Sequence, residues 1–147
     1  AHRLRRDRAR QVKKNGWRGY IFSRAINGQM IPQRVQNLVL RSYAQKNGLR
    51  YLLSATEYHM PGSYMMLESL YAALPGLEGL LFYSLSMLPE SRAQRLRLYG
   101  ELAKHGCGLR FALEELPIDG SEDSAMIEDV LAVRRLSSAA NLPFLRP

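Results

Sequence analysis

The stretch Arg18–Arg34, R-G-Y-I-F-S-R-A-I-N-G-Q-M-I-P-Q-R, decides the fold. Gly19-Tyr20-Ile21-Phe22 reads as a short buried strand, rich in aromatic and β-branched residues, that ends at Ser23 and Arg24. Asn27-Gly28 is a turn pair, and Pro32 suits the first turn of a following helix. A strand feeding a helix through a polar turn is the opening unit of a parallel α/β sheet. In such sheets ligands bind beyond the carboxyl ends of the strands, near helix N-termini. The first turn is therefore where a site is sought.

The rest of the chain repeats this unit. The first helix runs from about Pro32 to Lys46, with Val35, Leu38, Val39, Tyr43 and Ala44 at helical spacing and Asn47-Gly48 as its stop. A second strand, Arg50–Ala55, opens into Thr56-Glu57-Tyr58-His59-Met60 and Pro61-Gly62. Ser63 reads as the N-cap of a helix over Tyr64–Leu74. The apolar run Gly79–Leu85 fits a strand covered on both faces. Pro89 opens a helix to about His105. Leu109–Leu113 is the fourth strand, ending at Glu114-Glu115 and broken by Pro117. After a turn at Asp119-Gly120-Ser121, a last helix covers about Ser124–Ser137, and a tail follows over Asn141–Pro147. The order β-α-β-α-β-α-β-α predicts an α/β fold. Its form is a three-layer α/β/α sandwich on a mainly parallel four-stranded sheet, order 2-1-3-4, as in flavodoxin-like folds.

Length and charge bound the rest. The 147 residues fit one domain, 16–147, with a basic arm at 1–15. The formal charge is +8. Residues 1–18 hold eight Lys and Arg against Asp7, or +7, and the remainder holds 13 against 12, or +1. A basic body would point to a nucleic-acid face; a basic arm on a nearly neutral body is weaker evidence, since such arms also serve solubility, membrane-surface contact or subunit contact. No apolar run reaches the roughly 18 residues of a membrane span. Nor does an apolar segment follow the basic start as in a secretory signal. The one cysteine, Cys107, excludes an internal disulfide and a cysteine-rich zinc site. No metal spacing and no phosphate or dinucleotide motif is present, so the expectation is a cytoplasmic protein without cofactor or metal.

Polar residues just past each strand converge on one edge. They are Ser23, Arg24, Asn27 and Gln33 from the first unit, and Ser54, Thr56, Glu57, Tyr58 and His59 from the second. Ser84 and Ser86 come from the third, and Glu114 and Glu115 from the fourth. Arg24 either holds an anion near a helix N-terminus or pairs with Glu57 or Glu114. Glu57, His59 and Glu114 are the acid/base candidates, against the plainer readings of solvated loop residues and a salt-bridged glutamate. Ser23, Asn27, Gln33, Tyr58 and Ser84 are candidate substrate contacts. Tyr64 either stacks on a ring or begins a helix.

Two families resemble this sequence. Serine recombinases carry a first-strand motif G-Y-x-R-x-S followed by a helix with an early Gln, similar to Gly19–Arg24 and Gln33 here. The likeness spans about Arg18–Glu115 and implies a resolvase-like fold. Phe22 occupies the motif's arginine slot, Arg24 its nucleophile slot, and Ser23 lies one position early. The third-strand D-R-L motif is replaced by Ser86-Met87-Leu88. A serine without its arginine cluster does not stabilise a phosphoryl transition state, so recombination is not expected. R-G-Y-I-F-S-R, I-P-Q-R-V-Q-N, L-L-S-A-T-E-Y-H-M-P-G, Y-S-L-S-M-L-P and F-A-L-E-E-L resemble the bacterial sporadic carbohydrate cluster proteins, a family that implies surface-polysaccharide or sugar biosynthesis. The expectation is then an isomerase, epimerase or lyase acting on a sugar, sugar phosphate or nucleotide-activated sugar. Nucleic acid is not an expected partner of such an enzyme, and a homo-oligomer is. The alternative is a non-catalytic binding or regulatory protein whose basic arm meets nucleic acid, membrane or a partner enzyme.

Overall fold

A computed structural model describes residues 13–118 and 121–141. In chain order the elements are β1 (Trp17–Phe22), α1 (Gln33–Lys46), β2 (Tyr51–Glu57), α2 (Met65–Tyr71), β3 (Gly79–Phe82), α3 (Arg92–Lys104), β4 (Gly108–Phe111), β5 (Leu116–Ile118) and α4 (Ser121–Asn141). The sheet order is β2-β1-β3-β4-β5. The first four strands are parallel, and β5 runs antiparallel to β4.

The expected α/β architecture and the order 2-1-3-4 are present, with a fifth strand added. Pro117 ends no strand. It sits in β5 opposite Arg110, at the sheet edge, where a residue without an N–H is tolerated. Two strands are shorter than their apolar runs. β3 stops at Phe82 because Ser84 caps a 3-10 turn over Leu85–Met87, its hydroxyl accepting from the Ser86 amide. Ser63 does not cap α2. That helix starts after Tyr64, whose own side chain makes no cap bond, and a 3-10 turn at Leu74–Gly76 completes the crossover. The expected readings of residues 1–12, 119–120 and 142–147 fall outside the described residues. Lys14 and Asn15 belong to the body: the Asn15 amide donates to the Gly76 carbonyl at 2.9 Å, and the Lys14 ammonium donates to the carbonyls of Leu77 and His105.

Alternation along β1 sorts the layers. A Cβ on Gly19 would meet Leu40 of α1, whereas Tyr20 points to the other face and reaches Glu57 beside α2. Right-handed crossovers then place α1 alone on one face and α2 and α3 on the other. Arg97 of α3 bonds Glu68 of α2, and Arg95 of α3 bonds Glu128 of α4. The core of the three-helix face is an aromatic row in register. Tyr20 lies opposite Phe82, and Phe82 opposite Phe111, with ring centroids 4.7 and 5.7 Å apart. At the amino edge the Trp17 ring crosses Gly79, where an added Cβ would sit 2.3 Å from the ring and 2.4 Å from the Gly108 carbonyl.

Candidate functional site

The carboxyl edge does gather the polar residues, but in two separate groups. The first surrounds Glu57 at the end of β2. Its side chain is fully buried. The carboxylate accepts from the Tyr20 hydroxyl at 2.9 Å, the Tyr58 amide at 2.9 Å, the Met66 amide at 3.1 Å and the Leu67 amide at 3.2 Å. Glu57 thus receives the free N–H groups of the first turn of α2 and ties β1 to α2. Burial, then the charge of Glu57, holds the Tyr20 phenol far above its usual range, so Tyr20 stays a donor.

Ser23 and Arg24 are spent on the same loop. The Ser23 hydroxyl donates to the Glu57 carbonyl at 2.6 Å. Arg24 pairs with neither Glu57 nor Glu114. Its Nη1 donates to the carbonyls of Tyr58, Met60 and Ser63 at 2.9, 3.2 and 2.8 Å. The guanidinium carbon lies 4.0 Å from the Phe22 ring centroid and 5.1 Å from that of Tyr64. Tyr64 is a wall of this clamp, and burial raises its phenol above the usual value. Tyr58 and His59 are exposed on the loop the clamp holds. Gln33 is exposed at the start of α1. The glutamine that matters structurally is Gln36, whose amide accepts from the Phe22 N–H and donates to the carbonyls of Phe22 and Ile31, each at 2.9 Å. Its position on the buried stripe of α1 with Leu40, Tyr43 and Ala44 is the sequence signal that singles it out.

The second group lines a cleft of about 560 Å³ beyond β1, β3 and β4, walled by α4. Asn27, Ser84 and Glu114 face it, joined by Gln29, Ser86 and Arg134. Ile26 and Gln29 form a two-way bridge around Asn27 and Gly28, whose φ values of 51° and 78° are left-handed, as a tight hairpin turn requires. Glu114 accepts from the Ser84 hydroxyl at 2.6 Å and from the Leu85 amide at 3.0 Å. Glu115 turns away to an exposed pair with Lys46. Arg134 donates to Ser86 at 3.3 Å. Arg134 lies on a helix after the last strand, so strand-end reasoning passes over it. Among the described residues, no three His, Cys, Asp or Glu side chains gather to hold a metal, and no helix is long and apolar enough to cross a membrane.

Charge divides along the sheet. Among the described residues, 13–56 hold eight Lys and Arg and no acid, a charge of +8, and those from 57 to 141 hold seven and eleven, a charge of −4. The basic part of the described chain is β1, α1 and β2, with β2 at one edge of the sheet. A body that averages to neutral therefore carries a basic flank, which the arm-versus-body count conceals.

No family model matches the chain, and no curated protein matches it. Solved structures do. The N-terminal catalytic domain of TP901-1 integrase aligns with a TM-score of 0.60 at 17% identity, over 84% of this chain and 98% of that one. A resolvase family site-specific recombinase from Streptococcus pneumoniae aligns with a TM-score of 0.60 at 12% identity, over 84% of this chain and 91% of that one. At such identities the likeness establishes a resolvase-like fold. It also corrects the expectation of a sugar-modifying enzyme with a sugar or sugar-nucleotide partner, and the expectation against nucleic acid. The solved relatives are an integrase and a site-specific recombinase, and nothing in the comparisons points to carbohydrate.

Proposed function

We propose that this chain is a nucleic-acid-contacting protein on the serine-recombinase catalytic fold, and that it does not cut strands. The observation that carries the first half is the charge of +8 on the described residues 13–56, part of it folded onto one flank of the sheet. A phosphate backbone is the polyanion that such a flank attracts. The two solved recombinases supply the context. The second half rests on the first turn. Ser23 donates to a main-chain carbonyl, Arg24 is spent on three more, Phe22 is buried, and Met87 stands where the recombinase motif carries its third-strand arginine. Arg24, next to Ser23 in the chain, turns Nη1 to main-chain carbonyls, and the described first turn holds a single guanidinium where a phosphorane calls for a cluster.

In this reading Ser23, Arg24, Glu57 and Tyr64 hold the β2–α2 loop in shape. Asn27, Ser84 and Glu114 belong to the cleft without a catalytic role. A cytoplasmic setting and a single domain behind a basic arm accord with it. Membership of the sporadic carbohydrate cluster family stays a proposal that rests on the shared phrases, with no sugar chemistry attached. The test is a labelled duplex of about 30 base pairs at about 50 mM salt, followed by anisotropy and then run on a denaturing gel. Binding with no nicked strand and no covalent protein–DNA band is expected. Absence of binding overturns the nucleic-acid half. A covalent band lost in Ser23→Ala overturns the non-cutting half.

A further inference from the structure

Resting on the nucleic-acid reading above, we infer that the duplex backbone is met by the α1–β2 flank, through Arg18, Arg34, Arg41 and Arg50, and not by the carboxyl-edge cleft. The placement comes from a bond between the two elements. The Tyr51 hydroxyl of β2 donates to Asn37 Oδ1 of α1 at 2.9 Å. Arg34 lies three residues before Asn37 and Arg41 four after it, so both share that helix face. Seven residues of helix separate the two arginines by about 10.5 Å along the helix axis. The positive fields of Arg41 and Arg18 both reach the Tyr51 phenol. Arg18 fixes itself on the outer strand by donating Nε to the Leu53 carbonyl at 2.6 Å. Arg50, just before β2, is held by Asn15 at 2.9 Å.

These cations are available. Arg34, Arg41 and Arg50 are exposed, and among the described residues none of the four pairs with an acid. The arginines of α3 differ, because Arg92, Arg95 and Arg97 all face Glu128 or Glu68. Acids collect at the opposite end of the sheet, where α4 carries Asp123, Glu128 and Asp129 beside β5. The cleft sets Glu114 against a single arginine, Arg134. A polyanion approaching this molecule is drawn to the β2 edge and repelled from the β5 edge.

The experiment compares three full-length proteins by duplex anisotropy across salt. One is the parent, one is Arg34→Gln/Arg41→Gln/Arg50→Gln, and one is Arg92→Gln/Arg97→Gln/Arg135→Gln, which removes the same net charge from α3 and α4. Each phosphate contact contributes about 0.9 to the slope of log K against log salt, so the first triple variant should flatten the slope by about 2.7 and weaken binding at about 0.1 M salt by about 100-fold or more. The second should change the slope by less than about one. All six positions lie on the surface or carry only surface pairs, and melting curves verify that the variants fold. A parent that binds with a steep slope while both triples behave alike overturns this surface and leaves the nucleic-acid reading intact. A parent that does not bind overturns both.

Discussion

Replacing Glu57 by glutamine separates a structural carboxylate from a chemical one. The side chain is fully buried and accepts from one phenol, three main-chain amides and, at longer range, the Ser63 hydroxyl. Glutamine keeps the shape but offers one acceptor oxygen, and its NH2 group faces donors. About two of the four closer donors then lose their partner. A buried unsatisfied donor costs about 1–3 kcal/mol, so the loss is about 4 kcal/mol. Losing the negative charge beside the first turn of α2 adds a few tenths more. Against a total stability of about 5–15 kcal/mol this is a severe perturbation. At about 3 °C per kcal/mol for a chain of this size, Tm falls by about 12 °C. Tyr20→Phe removes one donor and leaves the amides in place, for about 1–2 kcal/mol. Because the two groups touch, the double variant should be more stable than the sum of the singles predicts, by about 1 kcal/mol. Urea unfolding of the four proteins measures all of this. A Glu57→Gln protein within about 2 °C of the parent Tm refutes the reasoning, since the bonds to Glu57 would then carry no net stability.

Other perturbations report on other parts of the fold. Arg95 and its hydrogen bonds hold the Glu128 carboxyl below its usual value of 4.5. The pair's stability is therefore complete above about pH 4.5 and fades as pH falls toward the depressed value; Glu128→Gln should lower Tm at pH 7 yet lose less of it between about pH 5 and pH 3 than the parent does. Gln36→Leu leaves the Phe22 N–H and carbonyl unpaired inside the core and should cost about 2–4 kcal/mol in urea unfolding; a neutral result contradicts the assignment. Gly79→Ala places a methyl against Trp17 and the Gly108 carbonyl, and should cost about 3 kcal/mol with a blue- or red-shifted Trp17 emission. An unchanged spectrum and Tm would deny that close approach.

Much of this fold is written locally. Gly19–Phe22, the stop at Asn47-Gly48 and the apolar run from Gly79 each signal an element through their own composition, and the handedness of βαβ crossovers orders the first four strands. β5 lacks such a signal. It is three residues long and contains Pro117, and it exists because Leu109 and Phe111 of β4 offer it an edge. The gathering of polar residues past the strand ends was legible, and the contacts they make were not. Nothing near Glu57 in sequence announces Tyr20, and the carboxylate's donors come from positions 20, 58, 63, 66 and 67, brought together by folding. Arg24 is likewise consumed by carbonyls more than thirty residues away. The basic flank was visible in the sequence, but dividing the charge at Arg18 averaged Arg24, Arg34, Arg41, Lys46 and Arg50 with the acids of residues 57–147.

The function of this fold turns on whether it meets a phosphate backbone. The direct measurement is the duplex affinity of the full-length protein across about 50–300 mM salt. Four cations on one flank predict a slope of log K against log salt of about −3.6 or steeper. A slope near zero, or no complex at about 50 mM salt and micromolar protein, contradicts it.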